Sequence, residues 1–174
     1  MNSYLFIFLW ILAHLSQAQT SGTVNVSLSL PSVALLDIEP AGIINLNFTA
    51  PTEAGSVLGS IATNNTKWIN ISSAVSSGLT RNVTVQISGT QPNGVRLKLQ
   101  TANASTGAGT RGTASSPIFL TSSPQTIVSG IGGSYTNTGS GNGYNLTYSL
   151  DIQTYSLLRS GSYTFSVLFT LVDN

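Results

Sequence analysis

The longest unbroken alternation of apolar and polar residues lies near the C-terminus, over residues 161–173. Large apolar side chains occupy every second position, and mostly Ser and Thr lie between them. The apolar positions are Tyr163, Phe165, Val167, Phe169 and Leu171. Because side chains alternate between the faces of a β-strand, this pattern predicts a strand with one face on a core. We expect the strand to lie inside a sheet, with several neighbouring strands covering its apolar face.

A second alternation extends over residues 23–30 and stops at Pro31. Its apolar positions are Val24, Val26, Leu28 and Leu30, separated by Asn and Ser. This spacing predicts another strand. Proline ends the strand because its nitrogen carries no hydrogen for the sheet.

Shorter segments between these two also have the composition and period of strands. They cover residues 33–38, 43–49, 68–71, 82–88, 94–100, 117–121, 125–129 and 144–150. In the segment 43–49, we expect Ile44, Leu46 and Phe48 to face inward. Trp68 is expected to fill the core, since a tryptophan buries a large apolar surface.

Turn residues separate these segments and indicate how they connect. Asn93-Gly94 tolerates the positive φ of a tight turn, so we expect a hairpin between residues 82–88 and 94–100. Residues 101–116 and 130–143 are rich in Gly and Ser, which predicts long loops, or a poorly formed edge strand in the first case. The chain is therefore expected to be all-β, a single antiparallel β-sandwich, Ig-like or pilin-like, of about eight to ten strands.

The N-terminal 18 residues have the pattern of a helical signal peptide. A continuous apolar run ends at Leu15, and Ser16-Gln17-Ala18 forms a small-x-small cleavage site. The run is shorter than the roughly 20 residues that span a bilayer, so cleavage is favoured over a membrane anchor. We expect residues 19–174 to form the β-sandwich domain, exported to the periplasm, the cell surface or the extracellular space without membrane insertion after cleavage.

Charge is scarce, and this limits the classes of partner. Only 6% of the residues are charged and the net charge is +1, so electrostatic repulsion does not oppose association of copies. Arg96 and Lys98 alternate along one segment, but no basic patch indicates nucleic-acid binding. The chain has no cysteine, so burial alone must hold the fold together.

Few side chains are suited to catalysis. The one histidine, His14, lies in the predicted signal peptide, which removes catalytic triads and most zinc sites. Among the five acidic residues, Asp37 and Glu39 share one face of a predicted strand. A solvated strand end is favoured there over a catalytic or calcium-binding pair. We therefore expect no enzyme activity, no metal and no cofactor.

The two terminal strands resemble those of chaperone-usher pilins, especially the archaic, spore-coat-U-like branch. Gly161-Ser-Tyr-Thr164 opens the last strand, and Gly161 is fourteenth from the C-terminus, as in the pilin β-zipper. The resemblance implies that Gly161, Tyr163, Phe165, Val167, Phe169 and Leu171 form the zipper strand. It also implies that Val24, Val26, Leu28 and Leu30 form a donor strand that completes a neighbouring subunit. Asp173 and the missing cysteines depart from the family pattern.

Two functions from different classes follow. The first is a non-catalytic exported structural or adhesive cell-surface protein, pilin-like or adhesin-like, whose partners are copies of itself or other surface subunits joined by strand addition. The second is a secreted carbohydrate-binding module, which would need exposed aromatic rings among Tyr135, Tyr144 and Tyr155 to bind glycans.

Overall fold

The computed structural model describes residues 21–59 and 63–174, so the predicted signal peptide, residues 1–18, lies outside the described residues. Residues 31–174 form one unit, and residues 21–30 belong to another that is described separately below. The strands are β1 (Val33–Glu39), β2 (Asn64–Ala74), β3 (Arg81–Ser88), β4 (Val95–Thr101), β5 (Ala108–Ala114), β6 (Ile118–Phe119), β7 (Gln125–Tyr135), β8 (Tyr144–Ile152) and β9 (Ser166–Asp173). A short 3-10 helix, Tyr155–Leu157, precedes β9.

Every pairing between these strands is antiparallel, which confirms the predicted all-β, sandwich-like fold. The strands form two sets of hydrogen-bonded neighbours. In the first set the order is β6-β4-β8-β2-β1, and in the second it is β5-β7-β3-β9. The sets meet where Ser72 and Ser73 of β2 pair with Tyr135 and Ser134 of β7. On its other edge β2 pairs with β1 over residues 68–74, and on the same edge as β7 it pairs with β8 over residues 64–69. Strand β2 therefore changes neighbours part of the way along its length and links the two sets.

The core is a single cluster to which both sets contribute. Ile69, Leu97 and Leu146 come from the first set, and Val83 and Ile127 come from the second. The alternation in β3 is strict, since every second residue from its first position is buried. A period of two thus directs one face of each strand inward, as the sequence predicts.

The predicted hairpin between residues 82–88 and 94–100 is wrong. Strand β3 pairs with β7 and β9, whereas β4 pairs with β6 and β8, so the turn between them crosses from one set to the other. Gly94 does adopt a positive φ of 81°, in a turn where the backbone N–H of Val95 donates a hydrogen bond to the carbonyl oxygen of Pro92 at 3.4 Å. A Cβ there would lie 2.4 Å from the carbonyl oxygen of Thr154.

Two glycine-rich segments predicted as loops contribute to the sheet. Residues 101–116 contain β5, which pairs only with β7 among the described strands, so the alternative prediction of an edge strand is confirmed. Residues 130–143 contain the second half of β7. The two backbones lie close together, because a Cβ on Gly109 would be 2.2 Å from the carbonyl oxygen of Gly133. Glycine therefore replaces the alternating side chains by which a strand is usually recognised.

Trp68 is not in the core, contrary to the prediction. Its neighbour Ile69 is fully buried in the core, so Trp68 points to the opposite face of β2. There it is half-buried, with Glu39 on one side and Asn145 on the other as its cross-strand partners. The size of a side chain favours burial, but its position along the strand decides which face it occupies.

Core burial makes a direct prediction for paired leucine substitutions. Leu146 is 0% exposed in the core, whereas Leu168 is 50% exposed on the outer face of β9. Leu146→Ala should lower the free energy of unfolding by about 2–5 kcal/mol, because it leaves a cavity. Leu168→Ala should change it by less than about 0.5 kcal/mol. Urea unfolding measures both, and equal losses would contradict this placement of the core.

The buried tyrosines predict a loss of stability at alkaline pH. Burial raises the pKa of Tyr144 to about 12, although the nearby Arg111 opposes the shift, and burial also raises the pKa of Tyr148. A tyrosine in the unfolded chain ionises near pH 10. The stabilisation from the neutral phenols is therefore complete below about pH 10 and is lost as the pH rises towards the folded-state pKa.

Tyr144→Phe should accordingly weaken the decline of the melting temperature above pH 10. Tyr135→Phe, at a half-exposed ring, is the matched control and should leave the decline unchanged. Identical pH profiles for both variants and the unmodified protein would show that Tyr144 does not contribute.

Candidate assembly site

Residues 21–30 present a line of exposed apolar side chains. None of these residues is assigned to a strand, so the strand predicted at residues 23–30 is not part of a sheet in a single copy of the chain. Val24, Val26, Leu28 and Leu30 are 80–87% exposed to solvent. Single exposed apolar residues are common in proteins, but four at a regular spacing of two form a surface suited to packing against a partner.

Among the described strands, β9 lies at an edge of the sheet, so the prediction that it lies inside a sheet is wrong. It pairs with β3 along its full length, from Ser166 to Asp173. No strand among the described residues pairs with its other edge, which is called here the open edge. Alternate N–H and C=O groups of an edge strand point away from the sheet and can pair with another strand.

The strand begins later than predicted, at Ser166 rather than Gly161. Gly161 is exposed and precedes the strand. Tyr163 is 47% exposed, and its hydroxyl donates a hydrogen bond to the carbonyl oxygen of Arg159 at 3.2 Å. These two predicted zipper residues therefore do not line the open edge. The ring of Tyr163 lies against its own loop and does not pack on the core.

The other four predicted zipper residues do face the core. Phe165, Val167, Phe169 and Leu171 pack against the core cluster, yet each is only half-buried. The residues of β3 that pair with Phe169 and Leu171, Val85 and Val83, are almost completely buried. The core is thus closed on the β3 side and partly uncovered along β9.

Residues 43–48 also have inward side chains that are only partly buried. Ile44, Leu46 and Phe48 are half-buried and the residues between them are exposed, which confirms the predicted alternation. The segment nevertheless belongs to no strand, and its backbone forms no hydrogen bond with any described residue. It therefore has the side-chain pattern of a strand but lacks a ladder partner among the described residues.

Arg81 joins the strands that border this side of the sandwich. It is only 5% exposed, although it is charged and occupies a core-facing position of β3. Its guanidinium donates hydrogen bonds to Asp173 Oδ1 at 2.6 Å, the carbonyl oxygen of Val33, Ser73 Oγ at 3.2 Å, the carbonyl oxygen of Ala74 at 3.3 Å and Ser32 Oγ at 3.2 Å. These partners lie at the start of β1, the end of β2 and the end of β9.

A second buried cation holds the other end of β1. Lys67 is 5% exposed, and its ammonium group donates a hydrogen bond to the carbonyl oxygen of Pro40, just past β1. Strand β1 is therefore fastened at its start by Arg81 and just past its end by Lys67. Because β1 and β9 approach each other, Arg81 fixes their spacing at one end.

Neither cation was among the predicted site residues. A signal for Arg81 does exist in the sequence, because it continues the inward positions Val83, Val85 and Ile87 backwards by two residues. A charge at such a position is expected to be buried and paired. The partners of Arg81 are two backbone carbonyls and three side-chain oxygens, and those of Ser32, Val33 and Asp173 are distant in sequence, so no local pattern identifies them.

The remaining reactive groups are dispersed. Among the described residues, no three His, Cys, Asp or Glu side chains form a cluster. Asp151 pairs with Arg96 at 2.5 Å, and this guanidinium also lies 3.8 Å from the ring centre of Phe119. Of the three candidate glycan-binding tyrosines, Tyr144 is fully buried and so not accessible to a ligand, whereas Tyr135 and Tyr155 are about half exposed.

The described part of the chain contains no helix with the length and hydropathy of a membrane span. No protein-family model, curated protein or solved structure matches the chain.

The Arg81 contacts predict a strong and selective effect on stability. Arg81→Met should lower the free energy of unfolding by more than about 2 kcal/mol, because it removes the donor to buried and partly buried oxygen atoms. Asp173→Asn should cost less than about 1 kcal/mol, since the carboxylate is 78% exposed. Arg159→Met, at an exposed loop arginine, is the control and should have no effect. Thermal unfolding compares the three, and an Arg81→Met variant as stable as the control would refute the role assigned to Arg81.

Proposed function

We propose that this chain is a non-catalytic, exported structural or adhesive subunit of the cell surface, pilin-like or adhesin-like, that assembles by strand addition. One observation carries the proposal: a single copy has both a strand-like apolar segment in solvent and a sheet edge whose core side chains are half covered. Residues 23–30 of one copy would pair with the open edge of β9 in the next copy.

The energies at stake are large enough for stable assembly. Burying four aliphatic side chains contributes about 1.5–3 kcal/mol each, or roughly 6–12 kcal/mol as an upper value. The half-buried β9 side chains would gain further burial, and the open edge would gain a hydrogen-bond ladder. Together these terms can offset the cost of association, about 4–15 kcal/mol.

Composition supports the same proposal. A net charge of +1 and only 6% charged residues mean that copies packed side by side do not repel one another strongly. The signal-peptide pattern of residues 1–18 supports export. The polar surface is provided mainly by Ser, Thr and Asn, which remain soluble without charge.

The direct test is a double substitution in the exposed segment. Val26→Asp with Leu28→Asp should abolish assembly, because two carboxylates cannot be buried beside β9 without partners. It should leave the melting temperature of the monomer unchanged, since both positions are over 80% exposed. Light scattering should show concentration-dependent oligomers for the unmodified protein and monomers for the variant.

Leu79→Asp is the control, because Leu79 is also an exposed apolar residue, at 53%, and lies outside the proposed interface. It should assemble normally. A second variant moves residues 19–30 to the C-terminus through a flexible linker, and it should be a stable monomer because its own open edge is filled. An unmodified protein that remains monomeric at high concentration would overturn the proposal.

Glycan binding is the competing outcome. Tyr135 and Tyr155 present half-exposed rings, although the hydroxyl of Tyr155 already accepts a hydrogen bond from the backbone N–H of Leu58 at 3.3 Å. Specific glycan binding by a stable monomer, lost on Tyr135→Ala or Tyr155→Ala, would favour a carbohydrate-binding module instead.

A further inference from the structure

Two Asn-Gly pairs occur in the chain, Asn93-Gly94 and Asn142-Gly143, and the fold holds them differently. In such a pair the backbone nitrogen of the second residue can attack the side-chain amide of the first, because glycine has no side chain to obstruct the approach. The attack requires the peptide group between the two residues to rotate. The hydrogen bonds of that peptide group therefore decide whether the reaction proceeds in the folded protein.

The peptide group between Asn93 and Gly94 is not held. Asn93 is exposed, and Gly94 has a φ of 81° in a turn closed by the hydrogen bond from the backbone N–H of Val95 to the carbonyl oxygen of Pro92. A positive φ at the third residue of a turn is typical of type II. Among the described residues, neither the carbonyl oxygen of Asn93 nor the N–H of Gly94 forms a backbone hydrogen bond.

The peptide group between Asn142 and Gly143 is held at both of its polar atoms. The carbonyl oxygen of Asn142 accepts a hydrogen bond from Asn70 Nδ2 at 2.8 Å, and the N–H of Gly143 donates to Thr106 Oγ1 at 3.0 Å. Asn142 Nδ2 donates to the carbonyl oxygen of Thr138 at 2.8 Å, so the side-chain amide is also fixed. Gly143 is buried, and rotation there would leave buried groups without partners, which is costly.

We propose that Asn93 is a site of covalent modification, at which the folded chain deamidates through a cyclic imide, whereas Asn142 is protected. The backbone nitrogen of Gly94 loses its proton and forms a bond to Cγ of Asn93, and the side-chain nitrogen leaves as ammonia. Water then opens the ring. Its attack at Cγ gives aspartate, and its attack at the main-chain carbonyl carbon gives isoaspartate. The proposal is independent of strand addition.

The product changes a surface that also contains a cation. Asn93 and Arg96 line the same cleft of about 530 Å³. The reaction adds one carboxylate, so it brings the formal net charge of +1 to zero, a condition that favours association of copies. Isoaspartate also lengthens the main chain in the turn. Because the carbonyl oxygen of Gly94 accepts hydrogen bonds from the N–H groups of Gln153 at 2.8 Å and Thr154 at 3.2 Å, we expect this form to disturb the contact with the loop after β8.

Incubation of the folded, unmodified protein in mildly alkaline buffer tests the proposal, because the attacking nitrogen must lose its proton. Trypsin places the two pairs in different peptides, residues 82–96 and 112–159, and mass spectrometry follows each separately. The amide of Asn93 should be lost at least about tenfold faster than that of Asn142, since only the second needs local opening of the fold. Isoelectric focusing should show a more acidic product appearing at the same rate.

The same incubation in urea is the matched control, because both pairs are then free of the fold and their two rates should become similar. Asn93→Gln should remove the faster reaction and leave the fold unchanged, since the position is exposed and a longer side chain forms the ring less readily. Thr106→Val should speed the reaction at Asn142, because it removes the acceptor of the Gly143 N–H.

The proposal is overturned if Asn142 reacts as fast as Asn93 in the folded protein, or if Asn93 reacts only in urea. A ratio of the two rates that is the same with and without urea would also refute it, because the local sequence and not the fold would then set the ratio. Circular dichroism identifies a Thr106→Val variant that fails to fold, and the comparison of folded and unfolded chains then decides the question without it.

Discussion

The rest of the structure depends on one constraint, which is that the core-facing side chains of β9 are only partly buried. An edge strand presents unpaired N–H and C=O groups on its free edge, which can pair with another strand. Among the described strands, β9 has a partner on one edge only, and its inward side chains are half-buried while their neighbours on β3 are fully buried. The described residues of a single copy therefore leave the core only partly covered along β9.

The buried cations explain how such an edge can persist without collapse. Arg81 fixes the start of β1 and the end of β9 to one guanidinium, and Lys67 holds the backbone just past the other end of β1. Strands held at their ends cannot easily close over the exposed side chains. Arg81 holds the Asp173 end of β9, and under the proposed function residues 23–30, which have the matching alternation, would be added at the open edge.

Much of the architecture follows from the period of two in the sequence, because β3, β4 and β8 carry unbroken apolar alternations. The pairing of strands does not follow, since the turn at Gly94 has the residues of a hairpin turn and yet joins strands of different sets. Strand β5 is hard to recognise in the sequence, because its glycines allow its backbone to lie close to β7 and leave no alternation of apolar side chains. The open edge depends on which strands are neighbours, which only the fold reveals.

Hydrogen exchange on the assembled and monomeric protein tests the central claim most directly. Strand addition predicts that the backbone amides of residues 23–30 and those of β9 that point to the open edge gain protection together upon assembly. In the monomer both sets should exchange rapidly, while the β9 amides bonded to β3 stay protected. Oligomers in which residues 23–30 still exchange rapidly, or a monomer in which they are already protected, would contradict the account.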